Sequence, residues 1–243
     1  MRILQISKEL LFLSIQTKPW NKNQFVSKTN AVLIRKSLER LGSVFVKLGQ
    51  MLALRPDFIS PIFCDELYKL LDQVPPFQSK LAMDILKREL GSNFPKLQEL
   101  EPIPTASASF AQVHRAKLDN GDVVAVKIQR PDIELVVRRD LGIMKFLARL
   151  FDFWFRPTNK LINIVEEFEI WTKDELDYSL EATNIEKFNE MADLVGDGIR
   201  GPKVYKNLST PRVLTMEFIE GCSLTQIITL LRADKKKQVK GLG

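Results

Sequence analysis

The chain has 243 residues, of which 45% are hydrophobic and 27% charged, and its formal net charge is +6. This composition is typical of a soluble globular protein of one or two domains, and no run of 18 apolar residues is present that could span a membrane. The charge is too small and too dispersed to indicate nucleic-acid binding, but it suits a phosphate ligand or an anionic membrane surface. Cys64 and Cys222 lack metal-ligand spacing, so both are expected to be reduced, buried thiols.

Apolar residues in the first third of the chain recur every three or four positions, as in amphipathic helices. Ile3–Ile15 is apolar but carries two charges, so we expect a helix packed on the core, with a helix at a membrane interface as the alternative. Ala31–Leu54 is predicted to form one continuous helix. Two more helices are predicted over Pro61–Leu71 and Ser79–Gly91, the second with Ser79 and Gly91 as its cap signals.

After about residue 100 the pattern changes to that of β-strands. The predicted strands are Ala108–Leu118, Val123–Gln129, Lys203–Tyr205 and Arg212–Phe218. The segment Asp119-Asn120-Gly121-Asp122 supplies a hairpin turn between the first two. Two long helices, Asp132–Phe155 and Leu161–Asn189, are predicted between the second and third strands. Strands and a few packed helices around one sheet define an α+β fold class.

The most informative segment is Val124-Ala125-Val126-Lys127. A lysine that ends an apolar strand can hold the α- and β-phosphates of a nucleotide and pair with a glutamate on a helix. In many basic proteins, however, such a lysine only reaches solvent. Just upstream, Ala106–His114 is rich in small residues at the place where a protein kinase has its glycine-rich loop. Alanine and serine let backbone amides approach an anion but adopt positive φ less readily than glycine, and an ordinary turn before a strand is the alternative.

The strand lysine needs an acidic partner, and three carboxylates on one predicted helix are candidates. Asp177 and Glu181 are four residues apart and Glu181 and Asn184 are three apart, so they share a face. Glu175 lies two residues before Asp177 and points almost the opposite way. One regular helix therefore cannot direct all three carboxylates at one cation.

Two solutions to this geometry remain. Either the helix begins or is distorted near Glu175, or the acids have different partners, which is the solution we favour. Glu181 is expected to pair with Lys127, while Glu175 and Asp177 hold Lys47 or help to position a metal. An acidic surface with pairs within the helix is the alternative.

Four signatures, in this order and spacing, resemble those of the UbiB/AarF-type atypical kinases. They are Lys47-Leu48-Gly49-Gln50 as K-x-G-Q, Ala106–His114 as the alanine-rich loop with Ser107 in place of the usual alanine, Val124–Lys127 as the strand lysine, and Glu175-Leu176-Asp177 as E-x-D followed by Glu181-Ala182 and Asn184. The resemblance runs from about Ser37 to Leu224. This family is linked to ubiquinone metabolism in bacteria, mitochondria and plastids.

The resemblance implies a kinase-like amino-terminal lobe over residues 101–225, preceded by a helical extension over 1–100 that carries K-x-G-Q. Residues 226–243 would begin a carboxy-terminal lobe that is absent. The implied cofactors are ATP and Mg²⁺, and no residue of this chain is assigned as a metal ligand. The residues implied in catalysis are Lys47, Gln50, Lys127, Glu175, Asp177 and Glu181. Those implied in nucleotide binding are Ala106, Ser107, Ala108, Ser109 and Lys127, with Glu217 and Ile219 in a hinge, Glu217-Phe218-Ile219, that offers backbone groups to adenine.

One departure from the family is large. His114 is the only histidine, so no H-x-D catalytic loop is present, and there is no Asp-Phe-Gly. We therefore expect the amino-terminal portion of a family member, as a truncated product or a fragment, with little phosphoryl transfer of its own. A non-catalytic lipid- or partner-binding module is the alternative.

The resemblance also implies partners and a location. The implied partners besides ATP are an isoprenoid lipid or a membrane surface and proteins of ubiquinone biosynthesis. The expected location is the cytoplasm, with peripheral attachment to the inner membrane as the alternative.

Overall fold

An antiparallel five-stranded sheet and the helices packed around it make up the computed structural model, which describes residues 1–17, 25–71, 75–156, 161–196 and 198–221. This mixture confirms the predicted α+β class. The helices are α1 Arg2–Thr17, α2 Lys28–Leu41, α3 Ser43–Ala53, α4 Pro61–Leu67, α5 Ser79–Leu90, α6 Ile133–Phe155, α7 Leu161–Glu175 and α8 Tyr178–Val195. Cys222 and the predicted start of a second lobe at 226–243 lie outside the described residues.

The predicted helix Ala31–Leu54 is wrong, because two helices occupy this segment. Ser27 caps α2 by accepting a hydrogen bond from the amide of Asn30, and α2 ends at Leu41, with Gly42 as its C-cap. Gly42 has a φ of +90°, a conformation that favours glycine, and its amide reaches the carbonyls of Leu38 and Glu39. The helix α3 starts immediately afterwards in a new direction, so the K-x-G-Q residues lie on a short helix of their own.

The helices on either side of this pair follow the prediction more closely. Pro61–Leu71 forms α4 and a 3₁₀ turn over Tyr68–Leu71. The helix α5 starts at Ser79 and ends at Leu90, with Gly91 as the predicted C-cap, but its N-cap is Gln78. Ser79 does not cap the helix because its hydroxyl donates to the carbonyl of Pro102 at 2.5 Å.

The sheet has the order β1-β3-β4-β5, with β2 pairing on β3. The strands are β1 Leu97–Gln98, β2 Ala106–Ser107, β3 Ala111–Leu118, β4 Val123–Gln129 and β5 Val213–Glu217. The hairpin between β3 and β4 turns at Gly121 with φ +90°, as predicted. The predicted strand Lys203–Tyr205 is wrong: Val204 makes a single bridge to Met216, and the chain then turns into a 3₁₀ helix at Lys206.

The predicted helix Leu161–Asn189 is also wrong. The helix α7 ends at Glu175, and α8 starts at Tyr178 after an extended Asp177 with φ −110°. The Asp177 carboxylate accepts a hydrogen bond from the amide of Ser179 at 2.9 Å and so caps α8. The amide of Tyr178 is bonded at 3.0 Å to the carbonyl of Pro211, next to β5, which fixes the start of α8 against the sheet.

Separate apolar clusters hold these parts together. Leu86, Val126 and Ile128 belong to the cluster between α5 and the sheet. Phe45, Leu141 and Phe168 belong to a second cluster that joins the first helices to α6 and α7. A small third cluster packs Tyr178 and Ala182 of α8 against the sheet. Within the described ranges, no helix is both long and apolar enough to cross a bilayer.

Candidate functional site

Lys127 is the centre of the site. It lies in β4 opposite Val113 of β3 and Leu214 of β5, and its side chain leaves the sheet on the side where α8 packs. Its Nζ is 2.6 Å from Oε2 of Glu181 on α8, and the two side chains are 21% and 36% exposed. The predicted pairing is therefore present, and it is accessible to a solute from one side.

The ring of Tyr178 packs against the Lys127 ammonium of this ion pair, a contact that the sequence analysis missed. The Lys127 ammonium lies 4.7 Å from the centroid of the Tyr178 ring, within the range of a cation–π interaction. The ring is almost fully buried, and its hydroxyl has no hydrogen-bond partner among the described residues. Burial raises the pKa of Tyr178, so the phenol stays neutral. The signal in the sequence was an aromatic residue directly after the helix-capping Asp177.

The interruption between α7 and α8 sends the E-x-D residues in different directions. Glu175, at the end of α7, lies 2.5 Å from the ammonium of Lys47 on α3. The Leu176 carbonyl accepts a hydrogen bond at 2.7 Å from Gln129, two residues beyond Lys127 on β4. No ion pair joins Asp177 to Lys47 in the described structure, because Asp177 caps α8 instead. The helix is therefore interrupted near Glu175, and Glu175 and Glu181 have different partners, so both proposed solutions apply. The prediction that Asp177 also holds Lys47 is wrong.

Gln50 of K-x-G-Q faces the small-residue loop. Its Nε2 donates to the carbonyl of Leu70 at 2.9 Å, and its Oε1 lies 3.4 Å from the Ser109 hydroxyl, which donates to it. Ser109 is 2% exposed. Lys47 and Gln50 are both partly buried and both contact residues of the site, as predicted for their inward orientation. The helix α3 therefore contacts the loop through Gln50 and α7 through Lys47.

The loop itself has a second anchor, Arg130, which the sequence analysis also missed. Ala106 and Ser107 pair with β3, and the amide of Ala108 returns to the carbonyl of Ala111 at 2.8 Å. The Arg130 guanidinium donates to the carbonyl of Ala108 from Nε at 3.1 Å and from Nη2 at 3.0 Å. It also reaches the hydroxyl of Ser107 at 3.0 Å and the carbonyl of Pro75 at 2.7 Å. The loop is therefore fixed from both sides, by Gln50 and by Arg130.

Replacing Arg130 by alanine is expected to loosen the loop. A hydrogen bond from a charged donor contributes about 1.5–3 kcal/mol, so the opening of residues 106–109 should become roughly 10- to 100-fold more favourable. Hydrogen exchange at the loop amides measures this change. The control is Arg212→Ala, because Arg212 pairs with Glu134 and Glu89, away from the loop. Equal protection of the loop in Arg130→Ala and in the unmodified chain would contradict the prediction.

His114 has a structural role. It is fully buried, with Nδ1 2.7 Å from the carbonyl of Glu101 and Nε2 2.8 Å from the side-chain nitrogen of Gln112. Nδ1 therefore carries the proton, and Nε2 accepts from the Gln112 amide. The Gln112 oxygen in turn accepts from the amide of Phe77 at 3.0 Å. With both ring nitrogens occupied, this histidine is not available to transfer protons.

An open groove of about 710 Å³ lies beside the Lys127–Glu181 pair. It is lined by Asp174, Glu175, Leu180, Glu181, Asn184, Ile185, Phe188 and Gly201. This groove lies along α8, and Ala106–Ser109 are not part of its wall. Among the described residues, no group of three His, Cys, Asp or Glu side chains is placed to hold a metal ion.

The hinge segment is fixed by the side chain of Glu217. Arg200 donates two hydrogen bonds to this carboxylate, at 2.7 and 2.8 Å, and the amide of Lys203 donates a third at 3.1 Å. The amide of Phe218 reaches the carbonyl of Val123 at 3.1 Å. Ile219 is 54% exposed, and its amide has no partner in the described part of the chain. The Glu217 side chain is therefore structural.

The pKa of Glu217 is lowered from its ordinary value of 4.5 to about 2, chiefly by the hydrogen bonds from Arg200 and then by that from the Lys203 amide. Since the folded-state pKa is depressed, the stabilisation is complete above about pH 4.5 and is lost as the pH falls toward 2. A carboxyl titration by nuclear magnetic resonance should give this low value. In Arg200→Ala the pKa should rise most of the way to 4.5. An unchanged titration curve in that variant would contradict the assignment.

An antiparallel sheet whose strand lysine pairs with a glutamate on a packed helix defines a kinase-like amino-terminal lobe, here with a helical extension in front. The chain belongs to the ABC1 family, whose model, described as the ABC1 atypical kinase-like domain, matches residues 69–240. This confirms the resemblance to the UbiB/AarF-type kinases.

Relatives and a solved structure agree with this family. The chain is 38% identical over 212 residues to sll0005 of Synechocystis, which is 85% of this chain and 30% of that protein. It is 38% identical over 202 residues to an aarF domain-containing protein kinase of Arabidopsis thaliana, described as chloroplastic, which is 82% of this chain and 29% of that protein. The structure of the Rv3197–erythromycin complex from Mycobacterium tuberculosis has a TM-score of 0.53 and 30% identity, over 76% of this chain and 45% of that one. The chain thus spans about a third of the length of these curated relatives.

Proposed function

We propose that this chain is the ATP-binding part of a UbiB-type atypical kinase or ATPase that supports ubiquinone or related isoprenoid-lipid metabolism. The observation that carries the proposal is the accessible Lys127–Glu181 pair, held between β4, α8 and the Tyr178 ring. Membership of the ABC1 atypical kinase-like family supports it. We place the boundary between the helical extension and the lobe near residue 100.

Phosphoryl transfer depends mainly on positioning and charge stabilisation, and each residue of the site has a matching task. Lys127 would contact phosphate oxygens, with Glu181 fixing the direction of its side chain. The backbone of Ala106–Ser109 would lie over the phosphates, and the carbonyl of Glu217 and the amide of Ile219 would bind adenine. Magnesium, when bound, would neutralise phosphate charge, and we assign it no ligand among the described residues.

Lys47 and Gln50 would regulate access to this site. Their contacts with Glu175 of α7 and Ser109 of the loop hold α3 across the site. A protein substrate could therefore reach the phosphates only after α3 moved. We propose that proteins of ubiquinone biosynthesis or an isoprenoid lipid interact with the whole protein, in the cytoplasm or at the inner membrane.

The test is ATP binding to the folded 243-residue chain by calorimetry, with and without Mg²⁺. Lys127→Met should weaken binding at least about 10-fold, because a charge-assisted contact is lost. Lys145→Met is a matched control: Lys145 also makes a half-buried pair, 2.8 Å from Glu169, but it joins α6 to α7. ATP binding that is equal in all three proteins would refute the role of Lys127. No ATP binding to the unmodified chain would favour the non-catalytic binding module instead.

A further inference from the structure

Two groups hold the Lys127 ammonium, and they differ in how firmly they are themselves fixed. The first is the Glu181 carboxylate, whose side chain is 36% exposed, so water competes for the ion pair. An exposed pair of this kind contributes at most about fivefold to an equilibrium. The second is the ring of Tyr178, which is 1% exposed and has its centroid 4.7 Å from the ammonium. A cation–π contact contributes roughly 2- to 30-fold, and the larger values apply where water is excluded.

The position of the Tyr178 ring is set by the fold rather than by Lys127. The ring packs in the small apolar cluster with Ala111 of β3 and Leu214 of β5. The amide of Tyr178 donates to the carbonyl of Pro211 at 3.0 Å, and Asp177 caps the helix that begins at Tyr178. Backbone and side chain of this residue are therefore both fixed against the sheet. The ring is a fixed surface beside Lys127, whereas the Glu181 carboxylate can turn into solvent.

The contact with Lys127 uses the aromatic face of Tyr178 and not its hydroxyl. The hydroxyl oxygen is buried and has no hydrogen-bond partner among the described residues. A buried polar group without a partner lowers stability. Phenylalanine would supply the same aromatic face without this unpaired hydroxyl, so it is a conservative replacement for the contact.

We propose that Tyr178 is a positioning residue whose ring keeps the Lys127 ammonium directed at the site when Glu181 is not bound to it. The inference rests on the proposed function, because Lys127 is there the residue that contacts phosphate. An anionic ligand competes with the Glu181 carboxylate for the ammonium, since both are acceptors of its protons. The uncharged ring is not such a competitor. Lys127 therefore passes from the carboxylate to phosphate oxygens while the ring limits its motion.

Nuclear magnetic resonance of the isotope-labelled chain, without nucleotide, tests the positioning step. The ring current of Tyr178 should shift the signals of the Lys127 ε-protons to lower frequency, and Lys127→Met assigns these signals by removing them. Tyr178→Leu should abolish the shift, whereas Tyr178→Phe should keep it. Glu181→Gln should keep most of it, because the ring holds the ammonium without the carboxylate. Loss of the shift in Glu181→Gln would overturn the proposal, since the carboxylate alone would then place the lysine.

ATP binding by calorimetry connects the position of Lys127 to the proposed function. Tyr178→Leu should weaken binding about 2- to 30-fold, and Tyr178→Phe should bind like the unmodified chain. Equal affinities of the leucine and phenylalanine variants would overturn the role of the ring. If the unmodified chain binds no ATP, the proposed function fails, while the ring-current shift still decides whether Tyr178 positions Lys127.

A matched truncation separates positioning from a general loss of packing. Phe168 on α7 is also 1% exposed, but it belongs to the cluster that joins the first helices to α6 and α7. Phe168→Leu should lower the temperature of unfolding, as Tyr178→Leu does, and leave the Lys127 signals in place. Equal changes of these signals in both leucine variants would show that Tyr178 acts only through packing. If Tyr178→Leu does not fold, Glu181→Gln still decides the question.

Discussion

Gly49→Val is expected to lower the free energy of unfolding by about 1–3 kcal/mol, because the added side chain overfills a close contact between helices. A Cβ atom at position 49 would overlap Cδ1 of Leu70 and lie 2.8 Å from Cδ1 of Leu38. Leu70 is 2% exposed, so it has little space into which it can move. The glycine of K-x-G-Q therefore lets α3 pack closely against Leu70 and Leu38. Urea unfolding measures the effect.

Two further substitutions control for helix propensity. Gly142 lies in α6, and a Cβ atom there would have no neighbour within 4 Å. Gly142→Ala should therefore stabilise the chain by about 0.5–1 kcal/mol, because alanine is favoured over glycine inside a helix. Gly49→Ala should be less harmful than Gly49→Val, since the same gain in propensity offsets part of its clash. A Gly49→Val chain as stable as the unmodified one would show that α3 moves freely.

The packing of Gly49 has a consequence for the site. The carbonyl of Leu70 holds the Gln50 amide, and Gln50 in turn accepts from Ser109 of the loop. A displaced Leu70 would therefore move the side chain that contacts the loop. The K-x-G-Q residues work as a unit: Gly49 allows close approach, Gln50 reaches the loop, and Lys47 reaches Glu175.

Local signals in the sequence were sufficient for much of this fold. The β3–β4 hairpin was predictable because its turn contains Asn-Gly between two alternating segments. The Lys127–Glu181 pair was predictable because a strand lysine and a helix glutamate had a known family context. The two long helices were found, yet both helix breaks were missed, since apolar spacing continues through Gly42 and through Leu176. A positive φ at Gly42 and the capping by Asp177 interrupt the backbone without interrupting the apolar pattern.

Contacts between distant segments could not be predicted from local patterns. Arg130 holds a loop that lies 22 residues earlier at Ala108 and a segment 55 residues earlier at Pro75. Tyr178 lies under Lys127 only because Asp177 starts a new helix at that point. The acids of E-x-D diverge for the same reason. The positions of Tyr178 and of the E-x-D acids therefore depend on a backbone interruption that the apolar spacing does not mark.

A buried charge network joins the first helix to α6. The Asp140 carboxylate is fully buried and contacts the Arg2 guanidinium through both oxygens, with Arg2 Nε at 2.9 Å from Oδ1. Arg139 reaches the same carboxylate at 3.1 Å but is half exposed. Arg2 also donates to the carbonyl of Leu41, the last residue of α2. One arginine thus holds α1, the end of α2 and α6 together.

Arg2→Met is expected to destabilise the chain by about 3–5 kcal/mol, because it leaves the buried Asp140 carboxylate without its main partner. Asp140→Leu should also destabilise the chain, since Arg2 then loses its carboxylate partner. The double variant should lose less free energy of unfolding than Arg2→Met alone. When apolar side chains replace the buried ion pair, no charge has to be desolvated on folding. Arg139 tolerates the double change because water reaches its exposed half. Urea unfolding of the four proteins gives the coupling energy, and strictly additive losses would show that Asp140 and Arg2 act independently.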